Sequence, residues 1–71
     1  MKLIEEVRRN GRLIRSRCIR EAETEKLQAQ IRNISDFVKQ EGLEVVFNNL
    51  RSRLHFTDHG GSHVSYFISS T

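Results

Sequence analysis

The chain has no proline, no tryptophan and a single cysteine, Cys18, among its 71 residues. One cysteine excludes an intramolecular disulfide and any zinc site built on several thiolates, and it is typical of a reducing compartment. Since proline and low-complexity segments are both absent, no linker is visible, and we expect one small domain over residues 1–71. A domain of this size buries only about 60% of its unfolded surface, so we expect self-association, such as a homodimer, or a larger protein partner.

Long apolar runs are absent as well. The first ten residues carry two glutamates where a signal peptide needs an apolar segment. No window approaches the roughly 18 consecutive apolar residues of a membrane span. We therefore expect a cytoplasmic protein that does not associate with membranes.

Positive charge is concentrated at the N-terminus. Residues 1–20 hold seven basic and two acidic side chains, whereas residues 21–71 hold five basic and seven acidic ones. Nine of the twelve basic residues are arginine, whose planar fork suits phosphate and carboxylate groups. This segregation indicates an anionic partner.

Residues 2–41 are predicted to be mostly helical. Apolar or small residues follow one another at helical spacing in a first stripe: Ile4, Val7, Gly11, Ile14, Cys18 and Ala22. A second stripe, out of phase with the first, consists of Leu27, Ile31, Ile34 and Val38. We expect a short helix over about residues 2–10 and one longer helix or two helices over about residues 12–41. In that arrangement Cys18 is buried and inert.

The dipeptide Asn10-Gly11 leaves an alternative open. Asn-Gly is the strongest short signal for a type I′ hairpin, but a glycine also ends many helices at the C′ position. The helix end is preferred because alternate residues beyond the turn lack apolar continuity, namely Leu13, Arg15, Arg17 and Ile19.

Gly42 is predicted to end the helical region, because the apolar period changes to two beyond it. Three half-buried strands are expected over about residues 43–48, 51–57 and 63–69. The predicted fold class is therefore α+β, with N-terminal helices packed on a three-stranded antiparallel meander. The stripe from Leu27 to Val38 is the expected cover of that sheet.

The apolar faces of the last two strands align when Leu54 pairs with Tyr66 and Phe56 pairs with Val64. The chain's three histidines lie around this hairpin, in HFTDHGGSH. The pairing places His55 and His63 diagonally on the polar face, with His59 in the loop.

Two imidazoles and a third from the loop would suit a zinc site or acid–base chemistry. The preferred interpretation is a turn, in which Gly60-Gly61 supply positive φ and the histidines are solvated. We accordingly assign no catalytic residue, no metal ligand and no cofactor.

The stretch GGSHVSYF, residues 60–67, resembles the Gly-Ser-His segment of the small HicA-type toxins, which cut messenger RNA on a double-stranded-RNA-binding-like fold. The resemblance implies that His63 is catalytic, and FVKQEGLEVV would match the preceding helix, glycine and first strand. The spacing from Gly42 to the motif is longer than in that family, and no closing helix is expected after Thr71. RNA cleavage by His63 therefore ranks behind the non-enzymatic functions.

The candidate binding residues are six arginines: Arg8, Arg9, Arg12, Arg15, Arg17 and Arg20. On a helix, Arg8, Arg12 and Arg15 would form a ridge beside the apolar stripe, and the other three would lie on the remaining surface. Such a helix would lie along a phosphate backbone of DNA or RNA or enter a major groove. No zinc-finger spacing or nucleic-acid signature selects bases, and the first half of the chain has no aromatic residue for stacking. We predict a small basic regulator that binds nucleic acid through backbone charge and is not an enzyme. The alternative is an inhibitor, adaptor or assembly subunit that docks on a protein through a helix or a sheet edge.

Overall fold

The computed structural model describes residues 1–48 and 52–70. In chain order the elements are β1 (Lys2–Arg9), β2 (Arg12–Glu21), α1 (Thr24–Gln40), β3 (Val45–Asn48), β4 (Arg53–Thr57) and β5 (His63–Ser69). The strands form one antiparallel sheet in the order β2-β1-β5-β4-β3. Because α1 packs mainly on β3, β4 and β5, the hairpin of β1 and β2 extends beyond the helix.

The predicted N-terminal helices are wrong. Residues 2–9 and 12–21 are strands, and α1 begins only at Thr24. Asn10 and Gly11 form the tip of the hairpin with φ values of 54° and 77°. Both central residues of a type I′ turn need positive φ, which asparagine and glycine tolerate best. The alternative interpretation of Asn10-Gly11 was therefore the right one.

Two features hide the two-residue period of these strands. In β1 the buried positions alternate, but one of them is the carboxylate residue Glu5 rather than an apolar side chain. Nearly all of β2 is exposed, so its sequence has no alternation of buried apolar and exposed polar residues. The register of β2 also shifts at Ile14 and Ile19, because each is an extra residue in a β-bulge opposite β1.

The helix α1 is present where the second apolar stripe predicted it. Leu27, Ile31 and Val38 are buried against the sheet. The predicted stop at Gly42 is confirmed, since this glycine has a φ of 83°. Its N–H donates to Lys39 O at 3.0 Å, and the N–H of Leu43 donates to Val38 O at 3.4 Å. These two bonds form the Schellman motif that ends many helices.

The C-terminal half contains three successive antiparallel strands, as predicted. Leu54 pairs with Tyr66 and Phe56 with Val64, in the expected register. The predicted second strand starts at residue 51, which lies outside the described residues, and β4 begins at Arg53. The fold class as a whole is nevertheless wrong, because β1 and β2 extend this meander to a five-stranded sheet covered by one helix.

The core is small and lies between α1 and the sheet. Its fully buried side chains are Leu3, Leu27, Ile31 and Leu54. Cys18 is not part of it; the thiol is exposed on β2, so the prediction of a buried cysteine is wrong. Within the described residues, no helix has the length and apolar character needed to cross a membrane.

Candidate functional site

Five of the six predicted arginines share one face of the β1–β2 hairpin. Directly opposed residues of an antiparallel pair project to the same side of the sheet. The register sets Arg17 opposite Glu5, and Leu3 of the core lies on the same side of β1. This surface, which we call the arginine face, therefore lies on the helix side of the sheet and consists of Arg9, Arg12, Arg15, Arg17 and Arg20.

A single buried carboxylate organises the centre of the arginine face. The Glu5 side chain is only 7% exposed, and its Oε1 lies 2.9 Å from Arg17 Nε and 3.1 Å from Arg15 Nη2. Its Oε2 accepts a hydrogen bond from the Tyr66 hydroxyl. The two arginine side chains remain 54% and 55% exposed. Their guanidinium groups are thus oriented by Glu5 while staying accessible to a ligand.

The protonation states of Glu5 and Tyr66 follow from this contact. Burial raises the pKa of Glu5, but the hydrogen bonds from Tyr66 and Arg17 and the charges of Arg17 and Arg15 outweigh it and lower the pKa overall. Burial, and then the hydrogen bond to Glu5 and its negative charge, raise the pKa of Tyr66. At neutral pH Glu5 is therefore an anion and Tyr66 a neutral hydrogen-bond donor.

The other arginines of the face differ in their surroundings. Arg9 donates to Ser62 Oγ at 2.9 Å and to Gly60 O at 3.3 Å, so it holds the β4–β5 loop. Arg20 donates to Gln30 Oε1 of α1 at 2.8 Å. The side chain of Arg12, near the hairpin tip, is exposed and makes no hydrogen bond or ion pair with the described residues. Arg12, Arg15, Arg17 and Arg20 are thus the residues best placed to meet an anion.

The sixth predicted arginine, Arg8, is not part of this surface. It lies on the opposite side of the sheet, where it pairs with Glu6 at 3.5 Å and faces His63 across the strands. The same side carries Arg53, whose guanidinium lies 5.1 Å from the centre of the Phe67 ring. The sheet therefore separates Arg8 from the other five predicted arginines.

The three histidines do not converge on one point. The rings of His55 and His63 lie 5.3 Å apart on the side of Arg8, in the expected diagonal arrangement, whereas His59 lines a pocket on the helix side. No group of three metal-ligating side chains occurs in the described part of the chain. The loop is organised by Asp58, whose Oδ1 accepts from the N–H groups of Gly60 and Ser62.

A pocket of about 510 Å³ opens between α1 and the sheet, next to the arginine face. Its apolar lining residues are Ile34, Phe37, Val38, Leu43, Phe56 and Tyr66, and its polar lining residues are Gln30, Asn33, Glu41 and His59. Two of these residues also touch the arginine face: Tyr66 through Glu5, and Gln30 through Arg20. Two hydrogen bonds therefore connect the walls of the pocket to the arginine face.

Sequence reasoning missed Glu5, Tyr66 and the pocket. Glu5 was counted only as a charge opposing the arginines, and Tyr66 only as a core residue of its strand. An assignment of residues 2–9 as a strand would have identified Glu5, because it places Glu5 on the same face as Leu3 and Val7. A carboxylate at a core position requires charged or hydrogen-bonding partners.

Comparisons of the chain with protein-family models, with curated proteins and with solved structures found no match.

Proposed function

We propose that this protein binds nucleic acid, with the phosphate backbone lying along the arginine face. The observation that carries the proposal is the arrangement of that face: five guanidinium groups on one side of an exposed hairpin, with one buried carboxylate among them. Phosphate contacts by arginine supply most of the affinity in non-specific nucleic-acid binding.

The shape of the hairpin supports the same function. Because β2 is exposed along almost its whole length, a ligand can approach it without displacing another part of the described fold. A two-stranded ribbon is also narrow enough to enter the major groove of a duplex. The chain thus acts as a small basic regulator that holds nucleic acid by its backbone and performs no chemistry on it.

A salt series tests this function. The purified protein is titrated against labelled duplex DNA and labelled single-stranded RNA between about 50 and 200 mM salt. Three or four phosphate contacts, made by Arg12, Arg15, Arg17 and Arg20, predict a slope of log affinity against log salt of about −3 to −4 on duplex DNA. Absence of binding at the lowest salt, or an affinity independent of salt, would contradict the proposal.

A protein partner is the second candidate, and one observation favours it. The strand β2 is an edge of the sheet, and it carries the exposed apolar residues Leu13 and Ile14, which are 50% and 62% exposed. An unpaired edge is a site at which an extended segment of another chain can add a strand. Failure of the salt series would put this docking function first, with a second copy or a larger acidic protein as the partner.

A further inference from the structure

We propose that the pocket between α1 and the sheet binds an unpaired nucleobase of the strand whose phosphates lie on the arginine face. This inference rests on the proposed function and adds a ligand class to it: nucleic acid with at least one accessible, unstacked base. Phosphate binding by the arginines gives the pocket no role, whereas this inference assigns one to its lining residues.

The size and lining of the pocket suit a base. Its volume of about 510 Å³ lies within the range of about 300–1,000 Å³ that is usual for small-molecule sites. The rings of Phe37, Phe56 and Tyr66 supply flat apolar surface, on which bases stack. Gln30 and Asn33 line the same space, and amide side chains carry both donors and acceptors for the edges of bases.

The connection between the pocket and the arginine face favours a nucleotide over a purely apolar ligand. The Glu5 carboxylate contacts Tyr66 at the wall of the pocket and the Arg15 and Arg17 guanidiniums outside it. On another wall, Gln30 is bonded to Arg20. A strand that places a base in the pocket therefore has the arginine face beside it for its phosphates. Glu5 balances only one of the five positive charges of the arginine face, and an apolar peptide segment would leave the excess without a counterpart.

A base can enter such a pocket only after leaving its stack. In a duplex this step costs a few kcal/mol for each base, whereas a single strand offers unstacked bases at little cost. We therefore expect the protein to bind single strands more tightly than duplexes at equal salt. The release of counterions alone would favour the duplex, because its charge density is higher.

The test compares three probes: a short oligothymidylate, the same oligonucleotide with abasic sites in place of the bases, and a duplex of equal length. Loss of the base–aromatic contact predicts that the abasic strand binds about 5- to 100-fold more weakly than the intact strand, with a similar salt slope. Equal binding of the intact and abasic strands would overturn the inference, while the salt slope would still support the proposed function. Absence of binding to every probe would refute both.

A substitution in the pocket wall tests the same contact by changing the protein instead of the oligonucleotide. Phe37 is 63% exposed, so Phe37→Ala removes part of the pocket wall at little cost to folding. It is expected to weaken binding of the intact strand and to leave binding of the abasic strand unchanged. The matched control is Val46→Ala on the edge strand β3, where the side chain is 57% exposed, and it is expected to change neither.

A second copy of the chain is the competing occupant of the pocket, and it predicts a different result. If sedimentation shows a dimer that Phe37→Ala dissociates, and binding of the intact strand is unchanged by the substitution, the pocket is an interface between copies and the inference is wrong. A monomer in both variants, with the loss of binding confined to the intact strand, supports a base in the pocket.

Discussion

The double variant Arg12→Gln/Arg15→Gln is expected to bind nucleic acid about 10- to 100-fold more weakly than the native protein at 0.1 M salt. Each lost phosphate contact reduces the slope of log affinity against log salt by about 0.9, which corresponds to about an 8-fold loss of affinity at this salt concentration. The measurement is fluorescence anisotropy of a labelled duplex across a salt series. Glu5 keeps its bond to Arg17 at 2.9 Å in this variant, so the carboxylate is not left without a cation. The salt slope should become shallower by about two.

The control for this prediction is Lys26→Gln/Lys39→Gln. Both lysines lie exposed on α1, and their loss changes the net charge of the chain by the same amount. If the arginine face is the binding surface, the control keeps most of the native affinity and slope. Equal losses in the two variants would show that binding depends on total charge rather than on this face, and would contradict the proposed site.

The second large effect concerns Glu5. We expect Glu5→Gln to lower the free energy of unfolding by about 1–3 kcal/mol at neutral pH, as measured by urea denaturation. One oxygen of its carboxylate accepts a hydrogen bond from Tyr66, and the other accepts one from Arg17 and forms an ion pair with Arg15. An amide has only one oxygen, so its NH₂ group would face a donor in a buried position. The exposed guanidiniums can turn to water, which limits the loss.

A double-mutant cycle with Tyr66→Phe separates this contact from other effects of the substitution. If the Tyr66–Glu5 bond carries the stability, the two substitutions together cost less than the sum of their separate costs. Strict additivity would show that the bond contributes nothing, and the structural account of Glu5 would then be wrong.

The same carboxylate predicts a pH dependence. The pKa of Glu5 is lower in the folded chain than its ordinary value of 4.5, so the unfolded chain binds the proton more tightly. The stability that Glu5 contributes is therefore fully present above about pH 4.5 and is lost as the pH falls through the folded value. The difference in unfolding free energy between the native protein and Glu5→Gln should shrink below pH 4.5. A difference that stays constant, or grows, on acidification would contradict the lowered pKa.

The C-terminal part of the fold could be predicted from the sequence because its burial pattern is simple. The helical stripe of α1 and the alternation in β4 and β5 record which side of each element meets the core, and Gly42 marks the change between them. The hairpin could not be predicted in this way. Its core face carries Glu5, its outer strand is exposed on both sides, and two bulges interrupt the alternation.

The arginines of the site could be selected by composition, but their arrangement could not. Which side of the hairpin each one occupies depends on the register and on the bulges of β2. The pocket could not be predicted from the sequence either. Phe56 and Tyr66 have the spacing of core residues, and only the position of α1 over the sheet leaves open space beside them.

The most direct test of the proposed function is an NMR titration of the isotope-labelled protein with a short oligothymidylate, followed through its backbone amide signals. We predict that the largest shifts fall on β2, from Arg12 to Arg20, and on the pocket residues around Gln30 and Phe37. We expect small shifts around Lys26 and along β3. Shifts centred instead on the opposite side of the sheet, around Arg8 and Phe67, would contradict the assignment of the arginine face as the nucleic-acid site.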